Sequence, residues 1–196
     1  GWLSNVNPCP SEPDIYVVAF QEVVELNSKS VWNADETNGQ LWHKQILEYL
    51  ATVHKKKFII LRSYQLVGLL LTVFAPESEI HNFRDVCSEI AKVGFKGIAG
   101  NKGSISIRFD YHATSFCFTA AHLAAGQQAV EERNRDYQDI ITTTAFRTSK
   151  GRRNILDHDH VFFFGDLNYR LNAEYFEVRK LISEQNFETL YLSDQL

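Results

Sequence analysis

The stretch Val161-Phe-Phe-Phe-Gly-Asp-Leu-Asn-Tyr-Arg170 joins a short apolar run to the polar residues that directly follow it. A short apolar run that ends at a glycine is typical of a buried strand. Asp166, Asn168 and Arg170 follow at alternate positions, and alternate side chains of an extended chain share one face. The stretch therefore predicts a buried strand whose end presents a carboxylate, an amide and a guanidinium to one point.

This group of side chains has two interpretations, and the spacing leaves both open. A carboxylate can orient or deprotonate a water, an amide can donate to a phosphoryl oxygen, and a guanidinium can pair with a second anion, so the set suits a phosphate. Alternatively, Asp166 and Asn168 form a polar turn that caps the next element. Gly165 allows the backbone a close approach at this point.

Apolar runs and amphipathic stretches alternate along the rest of the chain. Short, mostly apolar runs predict buried strands, and apolar residues at helical spacing predict surface helices. This alternation indicates an α/β fold with apolar central strands and helices outside. The predicted strands cover residues 15–20, 58–61, 67–74, 104–109, 114–121 and 161–164, and the predicted helices cover residues 40–53, 127–146 and 174–182.

The predicted helix at residues 127–146 has one apolar stripe, formed by Val130, Tyr137, Ile141 and Ala145. Glu, Arg and Asp residues fill its opposite face. The pattern predicts a surface helix with its charged face in solvent.

Three further groups lie at predicted strand ends or in adjoining loops, where α/β enzymes carry their sites. Glu22 follows the first strand and could ligate Mg²⁺, although a lone glutamate is more often solvated. His122 continues the apolar face of its strand, which favours a hydrogen-bonded core histidine. The loop at residues 97–103 places three glycines around Asn101 and Lys102, and such loops can face phosphate without having P-loop spacing. Together these residues would suit metal-assisted hydrolysis of a phosphate ester.

Composition, net charge and cysteine content limit the class of protein to which the chain can belong. The chain has 196 residues, 44% of them hydrophobic and 22% charged, which indicates one globular domain and excludes a disordered chain. The net charge of −4 gives no broad basic surface for nucleic acid. Three widely spaced cysteines with no CxxC pair fit a reducing compartment and argue against a zinc site. The chain contains no methionine, so we expect it to be a segment of a longer protein.

Seven segments, which are distributed over nearly the whole chain, carry a resemblance to a known family. They are residues 14–26, 65–68, Gly100-Asn-Lys-Gly103, His122-Leu-Ala-Ala-Gly126, Glu132-Arg-Asn134, Gly165-Asp-Leu-Asn-Tyr-Arg170 and residues 194–196. In kind and order they resemble the inositol polyphosphate 5-phosphatases, and most closely the synaptojanin-like branch.

The resemblance implies an α/β fold of two packed mixed β-sheets flanked by helices, the endonuclease/exonuclease/phosphatase fold, incomplete at both ends. Residues 1–196 would form a single domain, the central part of the catalytic domain. The implied activity is Mg²⁺-dependent hydrolysis of the 5-phosphate of phosphoinositides such as phosphatidylinositol 4,5-bisphosphate, and of soluble inositol polyphosphates. The implied partner is a phosphoinositide lipid, contacted peripherally at a cytoplasmic membrane surface, with no nucleic acid; oligomeric state is not indicated.

The resemblance also implies roles for nine residues, seven of them within the matching segments and two in the apolar loop that precedes Gly100-Asn-Lys-Gly103. Glu22 would hold Mg²⁺; Asp166 would orient or activate the water; Asn168 and His122 would contact the scissile phosphate; Asn101, Lys102 and Arg170 would bind the other ring phosphates; and Phe95 and Ile98 would touch acyl chains.

The chain departs from the family pattern in what it lacks. An upstream Trp-Asn-x-Asn segment and the downstream Arg-x-Pro-Ala-Trp-Cys-Asp-Arg and Ser-Asp-His segments have no counterpart in the 196 residues. We therefore expect the isolated segment to be weak or inactive and the parent protein to be active. Two alternatives remain: a nuclease or sphingomyelinase of the same fold, and a non-catalytic phosphoinositide-binding module.

Overall fold

The strands and helices follow the predicted alternation. The computed structural model describes residues 15–24, 36–94 and 102–196, and these residues form nine strands, four α-helices and two short 3₁₀ turns. In chain order the strands and helices are β1 (Tyr16–Phe20), α1 (Thr37–His54), β2 (Phe58–Leu66), β3 (Leu69–Pro76), β4 (Phe83–Lys92), β5 (Gly103–Tyr111), β6 (Thr114–His122), α2 (Val130–Thr143), β7 (Ala145–Thr148), β8 (Gly151–Asn154), β9 (His160–Asp166), α3 (Tyr175–Ser183) and α4 (Phe187–Leu192).

The strands form two larger sheets and a separate hairpin. One sheet has the order β1-β3-β2, with antiparallel pairings. The other has the order β4-β5-β6-β9 and is mixed, because β9 runs parallel to β6 whereas the other pairs are antiparallel. In the part of the chain that the structure describes, β7 and β8 pair with each other and with no other strand. The predicted α/β class is confirmed.

The two larger sheets pack face to face and enclose the main core. Leu71 and Val73 of β3 meet Ile105 and Ile107 of β5 in this core, and all four are fully buried. On the outer face of the first sheet, α1 contributes Ile46 and Leu50 to a second cluster. On the outer face of the mixed sheet, Ile140 of α2 packs against β6 residues including Ala121. The order of layers is therefore helix, sheet, sheet, helix.

Strand β5 lies at the centre of these layers and is buried on both faces. Its alternate residues Ile105, Ile107 and Phe109 face the core between the sheets. The other face is also buried, and it carries polar groups, among them Arg108. Burying a charge is costly unless it is paired and hydrogen-bonded.

A hydrogen-bond network supports the buried guanidinium of Arg108. Its Nε donates to His158 Nε2 at 3.0 Å, one Nη donates to the carbonyl oxygen of Asp85 at 2.9 Å, and the other pairs with the Asp110 carboxylate. The turn between β7 and β8 joins this network, because Ser149 donates to both carboxylate oxygens of Asp85. The network therefore ties the small hairpin to the mixed sheet.

Helix α2 differs from its predicted form in both length and buried face. It ends at Thr143, and Phe146 lies in β7, where it is fully buried. Three consecutive threonines precede β7, and β-branched residues favour strand over helix. The residues of α2 that are buried are Arg133, Asp136 and Ile140, so the prediction that the charged face is solvated was wrong for two of its members.

The sequence analysis also missed β4. Its ten residues include Arg84, Asp85, Glu89 and Lys92, and only two of the ten are buried. A strand of this kind lacks both the continuous apolar run and the clean alternation that the analysis used. Strands β7 and β8 and helix α4 were missed as well. The remaining predictions identified the right elements, with ends that differ from those observed.

Within the described ranges, no helix is long and apolar enough to cross a bilayer. Cys117 of β6 is fully buried beneath α2, and burial raises the pKa of its thiol to about 12.

The buried imidazole of His158 should make the stability of the protein depend on pH. Burial, reinforced by Arg108, lowers its pKa below the ordinary value of 6.5. Between the lowered and the ordinary pKa the unfolded chain binds more protons, so the free energy of unfolding falls as pH falls through that window and is unaffected by His158 above it. We expect thermal melts between pH 7.5 and 5 to show a drop that is shallower in His158→Gln. The exposed His81→Gln is the control; an identical slope in all three proteins would contradict the prediction.

Candidate active site

The candidate site lies at one edge of the mixed sheet, where β6 and β9 both end. Because these strands are parallel, their carboxyl ends meet, and the register pairs His122 with Asp166. The register continues into a backbone hydrogen bond from Leu123 N–H to the Asp166 carbonyl, at 3.1 Å. Two of the residues selected from sequence are thus brought side by side by strand pairing alone.

Lys102, His122 and Asp166 form one cluster. Lys102 Nζ lies 2.6 Å from His122 Nε2, and His122 Nε2 lies 3.4 Å from Asp166 Oδ2. The imidazole is almost fully buried, whereas 46% of the Asp166 side chain is exposed. A protonated lysine can only donate, so this geometry makes His122 Nε2 an acceptor and the imidazole neutral.

The electrostatics of the cluster agree with that assignment. Burial lowers the pKa of His122, and the neighbouring Lys102 lowers it further. Burial also lowers the pKa of Lys102, against the opposing influence of Asp166, Glu22 and Asp136. The site therefore combines a neutral imidazole with one cationic donor, Lys102, and one exposed carboxylate that can accept a proton.

Glu22 lies close enough to this cluster to act on it electrostatically. It follows β1, is exposed, and has a positive φ of 56°. Its charge raises the pKa values of both Lys102 and His122. The structure thus places the predicted metal ligand in the same site as the predicted catalytic groups.

The geometry of Asn168 differs from the prediction. Strand β9 ends at Asp166 and Asn168 has φ of 57°, so alternate residues beyond Asp166 do not share an extended face. Instead, the Asn168 N–H donates to Asp166 Oδ1 at 3.1 Å, and Asn168 Nδ2 donates to the Leu123 carbonyl at 3.0 Å. The polar turn that the sequence offered as an alternative is present, and it is this turn that brings Asn168 to the site.

Arg170 is held through its main chain. Its N–H donates to Gln195 Oε1 at 3.0 Å and its carbonyl accepts from the Gln195 N–H at 3.1 Å, while the residue is exposed. Among the described residues, no hydrogen bond or ion pair joins its side chain to the cluster. Asn101, Phe95 and Ile98 lie outside the described residues, so their roles remain predictions.

Gly165 is required at the end of β9 by its contacts. A Cβ on Gly165, whose φ is 129°, would lie 2.2 Å from the carbonyl oxygen of Ala121 and 3.0 Å from Gln21 Nε2. Among the described residues, that buried amide nitrogen of Gln21 has no hydrogen-bond partner. The missing side chain thus lets β6, β9 and the end of β1 converge where the cluster forms.

The sequence analysis gave no role to Gln21, to the Leu123 carbonyl, or to the two buried charged residues of α2. One available signal was the Glu132-Arg-Asn134 segment, which matched the family pattern without an assigned role. The contacts of Leu123 depend on main-chain geometry and left no signal in the sequence.

The chain belongs to the Endonuclease/Exonuclease/phosphatase family 2, whose sequence model matches residues 2–196. Among its relatives, synaptojanin-2 of Rattus norvegicus is 42% identical over 183 residues, which are 93% of this chain and 12% of that protein. Phosphatidylinositol 4,5-bisphosphate 5-phosphatase INP51 of Saccharomyces cerevisiae is 41% identical over 184 residues, 93% of this chain and 19% of that one. The chain thus spans less than a fifth of these relatives.

Solved structures agree with the family and show the breadth of the fold. The inositol polyphosphate 5-phosphatase domain of a synaptojanin, crystallised with inositol (1,4)-bisphosphate and a calcium ion, is 38% identical with a TM-score of 0.82, covering 95% of this chain and 53% of that one. A Cimex nitrophorin shares the fold alone, at 18% identity and a TM-score of 0.64, covering 95% of this chain and 60% of that one. The endonuclease/exonuclease/phosphatase fold is therefore confirmed, and function must be argued from the site.

Gly165→Ala tests the convergence of the strands. The positive φ alone should cost about 1–3 kcal/mol, and the contact with the Ala121 carbonyl should add to that loss of unfolding free energy. Chemical denaturation measures it. Gly151→Ala is the matched control, because Gly151 also has a positive φ, of 105°, but no atom within 4 Å of the added Cβ. Equal losses in the two variants would contradict the proposed close approach.

Proposed function

We propose that the protein containing this chain hydrolyses the 5-phosphate of phosphoinositides such as phosphatidylinositol 4,5-bisphosphate, and of soluble inositol polyphosphates, with Mg²⁺ as the cofactor. The observation that carries this proposal is the Lys102–His122–Asp166 cluster at the paired ends of β6 and β9. Its support comes from relatives named as 5-phosphatases and from the inositol bisphosphate in the synaptojanin structure.

Phosphate monoesters hydrolyse very slowly in water, and enzymes accelerate such reactions by up to about 10²¹-fold. Most of that acceleration must come from positioning and from charge placed around the phosphoryl oxygens. Lys102 Nζ supplies a cation, and the Asn168 amide lies in the adjoining turn. Asp166 supplies an exposed carboxylate that can accept a proton as a water attacks phosphorus. The bond from phosphorus to the inositol oxygen breaks, and that oxygen takes up a proton from water.

The donor set fits a magnesium ion held by few protein ligands. No group of three or more acidic, histidine or cysteine side chains forms a metal cluster in the described part of the chain. Mg²⁺ commonly uses one or two carboxylates together with water and substrate phosphate. Glu22 would hold it, with the Asp166 carboxylate nearby. The ion would supply Lewis-acid stabilisation of the phosphoryl oxygens when bound.

The proposal includes a cytoplasmic location and peripheral contact with a membrane. A phosphoinositide headgroup lies at a bilayer surface, so the enzyme must reach its 5-phosphate from the aqueous side of the bilayer. We assign the acyl-chain contacts to Phe95 and Ile98 and the other ring phosphates to Asn101, Lys102 and Arg170, on the basis of the family resemblance. Nucleic acid is not proposed as a partner, because the net charge is −4.

Asp166→Asn is the primary test. The amide keeps an oxygen for the Asn168 N–H but cannot take a proton, so phosphate release by the full-length protein should fall by about 10²–10⁴-fold. Binding to vesicles that contain phosphatidylinositol 4,5-bisphosphate should change little. Phosphate release and vesicle co-sedimentation are measured on the same preparations.

The exposed Asp139→Asn on α2 is the matched control for that substitution, and it should retain wild-type release. Near-normal turnover in Asp166→Asn would contradict the catalytic assignment. Vesicle binding by the wild-type protein without any phosphate release would establish the non-catalytic module instead. Cleavage of nicked DNA or of sphingomyelin in preference to the phosphoinositide would establish the other alternative.

Removal of divalent metal tests the cofactor. Chelation should abolish release by the full-length protein and added Mg²⁺ should restore it. Glu22→Gln should raise the Mg²⁺ concentration needed for half-maximal release at least about tenfold, because a neutral amide ligates a hard cation more weakly. Glu48→Gln, an exposed substitution on α1, is the control. Full activity in chelator would contradict the proposed cofactor, and an unchanged Mg²⁺ requirement in Glu22→Gln would contradict its assigned ligand.

A further inference from the structure

Arg133 of α2 is completely buried beside the candidate site, and its guanidinium holds the loop that follows His122. One Nη donates to the carbonyl oxygen of Ala124 at 3.1 Å and to that of Gly126 at 2.7 Å. A buried guanidinium is stable only with such partners. These contacts fix the backbone two to four residues beyond His122.

The same guanidinium contacts the loop that follows Asp166. Its Cζ lies 5.1 Å from the ring centroid of Tyr169, a cation–π distance, and its other Nη donates to Gln195 Oε1 at 2.6 Å. That Gln195 oxygen also accepts the Arg170 N–H. Tyr169 is fixed a second time, because its hydroxyl donates to Asn134 Oδ1 at 2.5 Å. One side chain therefore joins the loop after β6 to the loop after β9.

Asp136, one turn further along α2, completes the support. Its Oδ2 accepts the Ala124 N–H at 3.1 Å, so the peptide groups around Ala124 are held by Arg133 on one side and by Asp136 on the other. Burial is the main cause that raises the pKa of Asp136. Leucines would pack at least as well as these two charged side chains at the buried positions. What Arg133 and Asp136 add is therefore their hydrogen bonds to the loop.

We propose that Arg133 is a positioning residue for the phosphatase reaction: it sets the spacing between the loop after His122 and the loop that carries Asn168. This inference rests on the proposed function. Arg133 contacts neither the Lys102–His122–Asp166 cluster nor, in the proposed mechanism, the substrate. It acts through the main chain of residues 124–126 and through Tyr169.

The proposal predicts that lysine cannot replace Arg133. A lysine keeps the charge, but it has no planar group to lie over Tyr169, and its single ammonium cannot reach two carbonyls and Gln195 in the same fork geometry. In the full-length protein, Arg133→Lys should lower kcat for phosphate release about 10- to 100-fold with KM changed by less than about threefold, because misplacement of catalytic groups by about 1 Å has an effect of this size.

A second measurement does not depend on activity. Hydrogen exchange should become faster in Arg133→Lys at residues 123–126 and 167–172, and it should stay at the wild-type rate in β5 and α1. Arg135→Gln is the matched control, since Arg135 is exposed on the same helix, and it should leave both kcat and exchange unchanged. Gln195→Ala is a milder variant that should accelerate exchange at residues 168–172 only.

Wild-type kcat and wild-type exchange in Arg133→Lys would overturn the proposal. Faster exchange across the whole chain in both Arg133→Lys and Gln195→Ala would also overturn it, because the role would then be general stability. If the wild-type protein releases no phosphate, the proposed function fails and the role of Arg133 in that reaction fails with it. Exchange then decides only whether Arg133 sets the spacing of the two loops: local acceleration in both loops supports this, and its absence refutes it.

Discussion

The candidate site depends on the parallel pairing of β6 with β9. In this pairing, His122 and Asp166 are register partners at the end of both strands, and Gly165 sits opposite Ala121. Successive side chains of a strand point to opposite faces, so a slip by one residue would remove one member of the pair from the site. The close approach at Gly165 favours this register.

Helix α2 contributes both to the core and to the loops that follow the paired strands. Its Ile140 seals the outer face of the mixed sheet, and its first turns support the loops that leave the two strands. A single rigid element thus relates the core of the protein to the backbone around the site. Side chains held in this way lose little freedom when a ligand binds, and electrostatic catalysis in general requires such preorganisation.

Part of the site could be predicted from the sequence and part could not, and the difference has a physical cause. Hydrophobic periodicity located β1, β5, β6 and β9, and the ends of these strands carry Glu22, Lys102, His122 and Asp166. Strand order and register depend on long-range packing that local patterns do not contain, so they could not be predicted from the residues alone.

Other features were predicted incorrectly because the rule applied to them has exceptions. The extended geometry expected for Asn168 failed because its φ is positive, which asparagine tolerates better than most residues. The solvated face expected for α2 failed because Arg133 and Asp136 find backbone partners inside the protein. Helical periodicity treats every charge as solvated, and the two exceptions are the residues that support the site.

The burial of Cys117 makes this architecture accessible to direct observation. Its thiol lies under α2, fully shielded, with a pKa of about 12, so it reacts only when the helix separates from the sheet. The rate at which a thiol reagent modifies Cys117 therefore measures how often the helix that carries Arg133 opens, at a residue that the protein already contains.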